Sequence, residues 1–159
     1  MSTHIPEGLL PVEMLASATD AAGRSSSYFS LKGARRAFIV VHILQGNAAT
    51  ILLTPMQAVD VAGSGTPKVI SATPIWSNLD TAAASAFTRR TAAANYTTDA
   101  GVKHKYVVFE VGPNCMDVGL GFDCIRITTG ASNVANLTEA TLYVDQGYKG
   151  DNVIDPLVD

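Results

Sequence analysis

The sequence has little charge. Only 16% of its 159 residues are Asp, Glu, Lys or Arg, against about 25% in typical soluble domains. The hydrophobic fraction is 47%, which excludes a disordered chain because disorder requires high charge and low hydrophobicity. The net charge of -3 provides no broad positive field. We therefore expect no direct recognition of nucleic acid.

Long apolar runs are also missing. The longest, AFIVVHIL, is interrupted by His42, so no stretch reaches the roughly 20 apolar residues of a membrane-spanning helix. The first residues, MSTHIPEGLLPVEM, lack the basic region of a secretory signal and contain Pro6 and Pro11. We expect a protein that is synthesised in a cytoplasm and has no membrane partner.

Catalytic and cofactor-binding motifs are absent as well. No G-x-S-x-G nucleophile motif occurs, and Gly63–Gly65 lacks the Gly-Lys-Ser/Thr ending of a phosphate loop. A metal site made of His42, His104 and Glu110 is conceivable, but these residues lack metal-ligand spacing. A hydrogen-bonded structural role is the stronger interpretation of His42. We expect no enzyme activity, no cofactor and no metal.

Short runs of β-branched and aromatic residues are what the sequence has in quantity. Ala37–Gln45 is apolar on both alternating faces, which predicts a central strand covered on both sides. Gly46–Asn47 is typical of a tight turn, so we expect Thr50–Ala58 to return as the second strand of a hairpin. Pro55 cannot donate to a ladder, and it places that second strand at an edge or a bulge.

Further strands are predicted at Val69–Trp76, Lys105–Val111, Cys124–Thr128 and Ala140–Asp145. The Ala/Thr-rich segment Thr81–Thr98 has weak periodicity and predicts a helical turn or a long crossing loop. Short strands separated by turns, without a strong helix, indicate an all-β fold. We predict one sandwich or jelly-roll-like domain over residues 28–146.

Both ends of the chain are predicted to be extended arms, over residues 1–27 and 147–159. The first contains a short apolar cluster with no core of its own, formed by Leu9, Leu10, Val12, Met14 and Leu15. We expect residues 28–146 to fold without this arm. Basic groups at Arg35, Arg36, Arg89 and Arg90 are separated from the acidic stretch Glu139–Asp159, so charge contacts between neighbouring copies are available.

Certain elements of the central block are distinctive. They are Gln45–Ala49, Gln57–Ala58, Ile75–Trp76 and Gly130–Asn133. In these elements, and over roughly Gly23–Val144, the sequence resembles small virion structural proteins of tailed bacteriophages. Among these, capsid decoration (cement) proteins fit best.

The resemblance implies a non-enzymatic protein that binds the outer surface of the phage head and stabilises the shell. Its partners would be the major capsid protein and further copies of itself, in a homo-oligomer that we expect to be a trimer. It would be synthesised in the host bacterial cytoplasm and reside on the capsid surface of the virion. The apolar cluster of the N-terminal arm would contact the capsid.

Two alternatives stay open. One is a tail-tube or head–tail joining protein, which would form rings through continuous sheets. The other is a carbohydrate-binding module, which would need a second exposed aromatic side chain such as Tyr28 or Tyr96 beside Trp76.

The cysteines lead to the first testable prediction. Cys115 and Cys124 are the two cysteines of the sequence, and in a cytoplasmic protein we expect both to be reduced, structural thiols. Intact mass spectrometry without reductant should give the mass of the dithiol. A mass two daltons lower, restored by reductant, would contradict this prediction.

Overall fold

Two antiparallel β-sheets packed face to face form the protein in this computed structural model, which describes residues 8–147 and 155–158. The predicted all-β sandwich is confirmed. One three-residue 3-10 helix, Val118–Leu120, interrupts the described strands. In chain order the strands are β1 (Leu9–Thr19), β2 (Arg24–Ser25), β3 (Phe29–Ser30), β4 (Arg36–Gln45), β5 (Leu52–Ala58), β6 (Lys68–Val69), β7 (Thr73–Asn78), β8 (Thr88–Ala93), β9 (Tyr96–Thr97), β10 (His104–Val111), β11 (Cys124–Thr129) and β12 (Asn136–Asp145).

The strand β4 lies in the middle of the first sheet, whose order is β1-β12-β4-β10-β7-β8. All of β4 pairs with β12, and nearly all of it pairs with β10 on the other side. Ile39, Val41 and Ile43 point inward and are 0% exposed. They pack in one cluster with the inward side chains of β5 and β11. The predicted central strand is therefore confirmed.

The prediction that β4 is covered on both of its faces is wrong. The second sheet packs against the inward face alone, because side chains alternate between the two faces of a strand. On the opposite face Phe38, Val40 and His42 are only half-buried, and Leu44 is 36% exposed. The first sheet therefore presents an apolar outer face.

The second sheet has the order β2-β11-β5-β6, with β3 also beside β11 and β9 also beside β5. The hairpin predicted from Gly46–Asn47 is wrong, since β4 and β5 lie in different sheets. Both edges of β4 are occupied by β10 and β12, so the chain crosses to the second sheet after Gln45. Pro55 lies between the positions where β9 and β6 pair with β5. Its missing N–H therefore falls at a gap between two short partner strands.

The segment Thr81–Thr98 contains two strands, which corrects the predicted helical turn or crossing loop. β8 pairs with β7 at the edge of the first sheet, and β9 pairs with β5. The side chains of β8 are exposed or half-buried. Backbone pairing rather than burial holds this strand, so no apolar periodicity marks it in the sequence.

The prediction of an extended arm over residues 1–27 is wrong from Leu9 onward, where the chain is part of the first sheet. β1 pairs with β12, and Met14 and Leu15 are only 6% and 8% exposed in the core. Register shifts between Glu13 and Leu15, and between Leu15 and Ala18, interrupt the pairing. These shifts place two consecutive apolar residues inside, so the simple alternation of a strand is lost. The folded domain therefore begins well before residue 28.

Hydrogen bonds of Asp20 and Arg24 also join the segment after β1 to the rest of the domain. Thr129 donates a hydrogen bond of 2.6 Å from its hydroxyl to Asp20 Oδ1, and Arg24 Nε donates to the same oxygen at 3.2 Å. Arg24 also donates to the carbonyl oxygen and the hydroxyl of Thr138. These bonds join the β1–β2 connection to both β11 and β12.

The predicted C-terminal arm falls mostly outside the described residues. Within residues 155–158, the Pro156 carbonyl accepts a hydrogen bond of 2.8 Å from the Ser30 backbone N–H. Leu157 lines a shallow depression with Leu10 and Val12 of β1. This part of the chain lies against the domain. In residues 8–147 and 155–158, no helix is long and apolar enough to cross a membrane.

Lys105 is the largest polar side chain of the interior and is 0% exposed. Its ammonium donates to Gln45 Oε1 at 2.9 Å, to the Asp99 carbonyl at 3.0 Å and to the Asp99 carboxylate. The hydrogen bond from Lys105 holds the pKa of Asp99 below its usual value. A buried ammonium needs such partners because its desolvation is costly.

Substitution of Leu15 tests the place of β1 in the core. Leu15→Ala should lower the free energy of unfolding by about 2–4 kcal/mol, because it leaves a cavity among buried side chains. Leu9 lies on the same strand but is half-buried, and Leu9→Ala should cost less than about 1 kcal/mol. Urea unfolding measures both values. Losses near zero for both variants would show that this segment is a separate arm after all.

Candidate interaction surface

The outer face of the first sheet is the candidate functional surface. Registered positions of β12, β4, β10 and β7 bring its side chains side by side. They are mostly apolar and half-buried: Leu137, Thr141, Tyr143, Phe38, Val40, His42, Leu44, Tyr106, Val108 and Trp76. The same side of these strands also carries four charged side chains, which are Glu139 beside His42 and, toward the other end, Arg36, Glu110 and Asp145. The solvent face of an antiparallel sheet is normally polar. We call this set the outer face.

Aromatic rings gather at one end of the outer face. The His42 ring is stacked on Tyr106 at 4.6 Å between centroids and on His104 at 5.9 Å. Phe87, which is 47% exposed, lies 6.4 Å from Tyr106. His42 Nδ1 is 2.9 Å from Glu139 Oε1. We call His42, His104, Tyr106 and Phe87 the aromatic patch.

The structure does not assemble the conceivable metal site. His42 and His104 belong to the aromatic patch, whereas Glu110 lies toward the other end of β10 and binds Arg36 Nη1 at 3.2 Å. Among the residues that the structure describes, no group of three His, Cys, Asp or Glu side chains is placed to hold a metal ion.

A charged rim borders the aromatic patch. Lys103 Nζ forms an ion pair with Asp80, and the backbone N–H of Thr81 bonds to the His104 carbonyl at 3.1 Å. The hydrogen bond from Lys103 lowers the pKa of Asp80, and the same contact raises the pKa of Lys103. Both groups therefore remain charged at neutral pH.

The predicted inter-subunit arginines lie in two places. Arg36 is at the start of β4 and pairs with Glu110 at 3.2 Å and Asp145 at 3.1 Å. Arg35, the residue before it, is exposed. Arg36 therefore forms its ion pairs within its own chain. Contact with another copy stays a prediction for both Arg35 and Arg36.

The other two arginines lie on the edge strand β8. Arg90 Nε donates to Ser77 Oγ at 2.7 Å. Arg89 is exposed and lies over the ring of Trp76, 5.8 Å from its centroid. Their contact with another copy also stays a prediction.

The two edges of the first sheet differ. β1 contains Pro11 and two register shifts, which oppose the addition of another strand. β8 contains no proline, and its far side has no partner strand in the described residues, although its pairing with β7 has one register shift, between Thr73 and Ile75. β1 is therefore the more strongly interrupted of the two edges.

A cleft of about 230 Å³ opens beside Trp76 on the outer face, away from the aromatic patch. It is formed where the loop after β10 meets β7 and β8, and it is lined by Pro74, Trp76, Arg89, Glu110, Gly112, Asn114 and Cys115. Sequence reasoning singled out Trp76 but missed Asn114 and Gly112. No local signal marks them, because only the β10–β7 pairing brings that loop to Trp76.

The aromatic partners expected for Trp76 are not brought to it. The Tyr96 hydroxyl lies within hydrogen-bond distance of Ser77 Oγ. Ser77 follows Trp76 on β7, and successive strand residues point to opposite faces, so Tyr96 lies on the other side of the sheet from the Trp76 ring. Tyr28 packs with Ala58 and Cys124 in a separate small cluster. Burial raises the pKa of the Tyr28 hydroxyl. Neither Tyr28 nor Tyr96 therefore supplies the second aromatic side chain that the carbohydrate-binding alternative requires beside Trp76.

The cysteines occupy different environments. Cys115 is half-buried and lines the cleft, whereas Cys124 is 0% exposed in β11. Both are thiols in the structure.

Comparison with known proteins adds little. A solved structure similar to this chain is that of the SPBc2 prophage-derived protein YomS, at 13% sequence identity and a TM-score of 0.40. The similarity covers 84% of this chain and 94% of that chain. A similarity of this degree is too distant to transfer an activity or a partner. No protein-family model matches the chain, and no curated protein does.

Substitution of Arg36 tests whether its ion pairs act within the chain. Arg36→Ala should lower the free energy of unfolding by about 0.5–1 kcal/mol, since partly exposed ion pairs are weakened by solvent. Arg35→Ala is the matched control and should cost less than about 0.5 kcal/mol. The Arg36 loss should shrink in about 1 M salt, where charges are screened beyond ~3 Å. Equal losses for the two variants would contradict this assignment.

Proposed function

We propose that this chain is a non-enzymatic bacteriophage capsid decoration protein, which binds the major capsid protein through the outer face of its first sheet. It would act on the capsid surface of the virion as a homo-oligomer, with a trimer expected. The observation that carries the proposal is the apolar and aromatic character of that outer face.

The outer face has the composition of a protein interface. Interface cores are enriched in aromatic residues and depleted in charge, and their rims are polar. The aromatic patch supplies rings and Leu44 supplies an exposed aliphatic side chain, at 36% exposure. Ion pairs at Lys103–Asp80 and Arg36–Glu110 border this surface. An exposed apolar surface with a polar rim is typical of a protein–protein interaction site.

Stabilisation of a shell follows from preferential binding. A protein that binds assembled capsid and not free subunits shifts the equilibrium toward the shell by mass action. An oligomer adds avidity, because each further contact forms at high effective concentration. The choice of a phage capsid as the partner comes from the sequence resemblance over roughly Gly23–Val144.

The open edge of β8 favours a second candidate, a tail-tube or head–tail joining subunit. Rings of such subunits continue their sheets from copy to copy. The opposite edge, β1, is interrupted by Pro11 and two register shifts, which opposes continuous pairing between β8 and β1 of neighbours. Decoration of the head is therefore the better-supported proposal.

Two leucines of similar exposure allow a matched test of the docking face. Leu44 lies on the outer face of the first sheet and is 36% exposed, and Leu52 lies in the second sheet and is 41% exposed. Leu44→Glu should weaken capsid binding by at least about tenfold, or ~1.4 kcal/mol. Leu52→Glu should bind like the unmodified chain. Both variants should fold, because neither position is buried.

The assay uses phage particles that lack this protein and are decorated with purified chain. Binding is measured by co-sedimentation, and shell strength by the temperature at which packaged DNA is released. We expect the unmodified chain to raise the release temperature and to sediment alone as a trimer. An unchanged release temperature with a monomeric profile would overturn the decoration proposal. Equal binding by both leucine variants would place the docking face elsewhere.

A further inference from the structure

We propose that the free edge of β8 binds an extended segment of a partner protein that carries two adjacent carboxylate side chains. The segment would pair with the β8 backbone as an added strand and place its carboxylates on Arg89 and Arg90. The proposal does not rest on capsid docking, because β8 contributes no side chain to the outer face.

The backbone of β8 is available on one side. β8 pairs with β7, and on its other side the described part of the chain provides no strand. Free backbone N–H and C=O groups on such an edge can pair with an added strand. The side chains of Thr88–Ala93 are exposed or half-buried, which leaves the edge accessible to a partner.

The two arginines give this edge an unbalanced positive charge. They are the only charged residues in Thr81–Thr98, and neither forms an ion pair within the part of the chain that the structure describes. Glu110 lines the cleft beside them, but Arg36 already binds it at 3.2 Å. Arg90 Nε donates to the neutral Ser77 hydroxyl at 2.7 Å. Charge-assisted hydrogen bonds with carboxylates are therefore still open to both guanidinium groups.

The pairing of β8 places the two guanidinium groups on opposite sides of the sheet. Arg89 is registered with Trp76, which lies on the outer face, and Arg90 is registered with Ile75, which is 1% exposed on the inner side. Consecutive side chains of an added strand also point to opposite sides. A pair of adjacent Asp or Glu residues would therefore reach both arginines, one on each side of the sheet.

A second copy of this chain does not fit the edge. Pairing of β8 with itself would bring the arginines of both copies together without a carboxylate, and like charges on paired strands are destabilising. The sequence also contains no two consecutive Asp or Glu residues, so no copy supplies the acidic pair. The bound segment is short, because the register shift between Thr73 and Ile75 limits the regular part of the β7–β8 pairing to Thr88–Arg90.

Hexapeptides with blocked ends test the proposal on the unmodified protein. The probe is TVEEVT. Its controls are TVKKVT, which reverses the charge, and TVEEVT with every second amide N-methylated, which cannot complete a ladder of hydrogen bonds. We expect TVEEVT to change the emission of Trp76, the one tryptophan of the chain, because Arg89 lies 5.8 Å over its ring. The same peptide should slow hydrogen exchange at the amides of β8. Both control peptides should bind at least about tenfold more weakly.

Two variants with the same change in net charge complete the test. Arg89→Glu should weaken TVEEVT binding by at least about tenfold. Arg35→Glu is the matched control, because Arg35 is an exposed arginine outside β8, and it should bind the peptide like the unmodified protein. Equal binding by the two variants, or equal binding of either control peptide, would overturn the proposal. So would a TVEEVT titration that alters neither Trp76 emission nor exchange in β8.

Sedimentation of the protein alone separates a partner protein from a second copy. Arg89→Glu and Arg35→Glu should leave the sedimentation profile the same as each other. A profile changed by Arg89→Glu alone would assign the edge to a second copy and overturn the partner class. Capsid co-sedimentation is a separate measurement, and none of these results bears on it.

Discussion

Burial of one side of the central strand β4 is the constraint on which the rest of the structure depends. Ile39, Val41 and Ile43 are 0% exposed against the second sheet, and β10 and β12 occupy both edges of the strand. Because side chains alternate, the same pairing sends Phe38 and His42 outward. The core and the candidate interaction surface are therefore two sides of one set of strands.

The outer face is divided along β10. Its first residues, His104 and Tyr106, belong to the aromatic patch, and Glu110 near its end belongs to the cleft. The Arg36 side chain binds Glu110 and Asp145 at the cleft end. The aromatic patch and the cleft therefore lie at opposite ends of β10.

Sequence reasoning succeeded where one strand carries its own apolar pattern. The strands at Lys105–Val111 and Cys124–Thr128 were predicted to within one residue at each end. It failed at β1, where register shifts put Met14 and Leu15 on the same side, and at β8, which is held by backbone pairing. Neither feature changes the composition of a segment, so local patterns do not reveal it.

The sequence by itself determined the fold class and the inward side of β11, because these follow from alternation and β-branched runs. Only the tertiary structure decided which sheet each strand joins and which residues meet at a site. Trp76 and Asn114 are far apart in the chain and line one cleft because β7 pairs with β10. Long-range pairing has no local signature: it is chosen by which edges are still open and which faces must be buried.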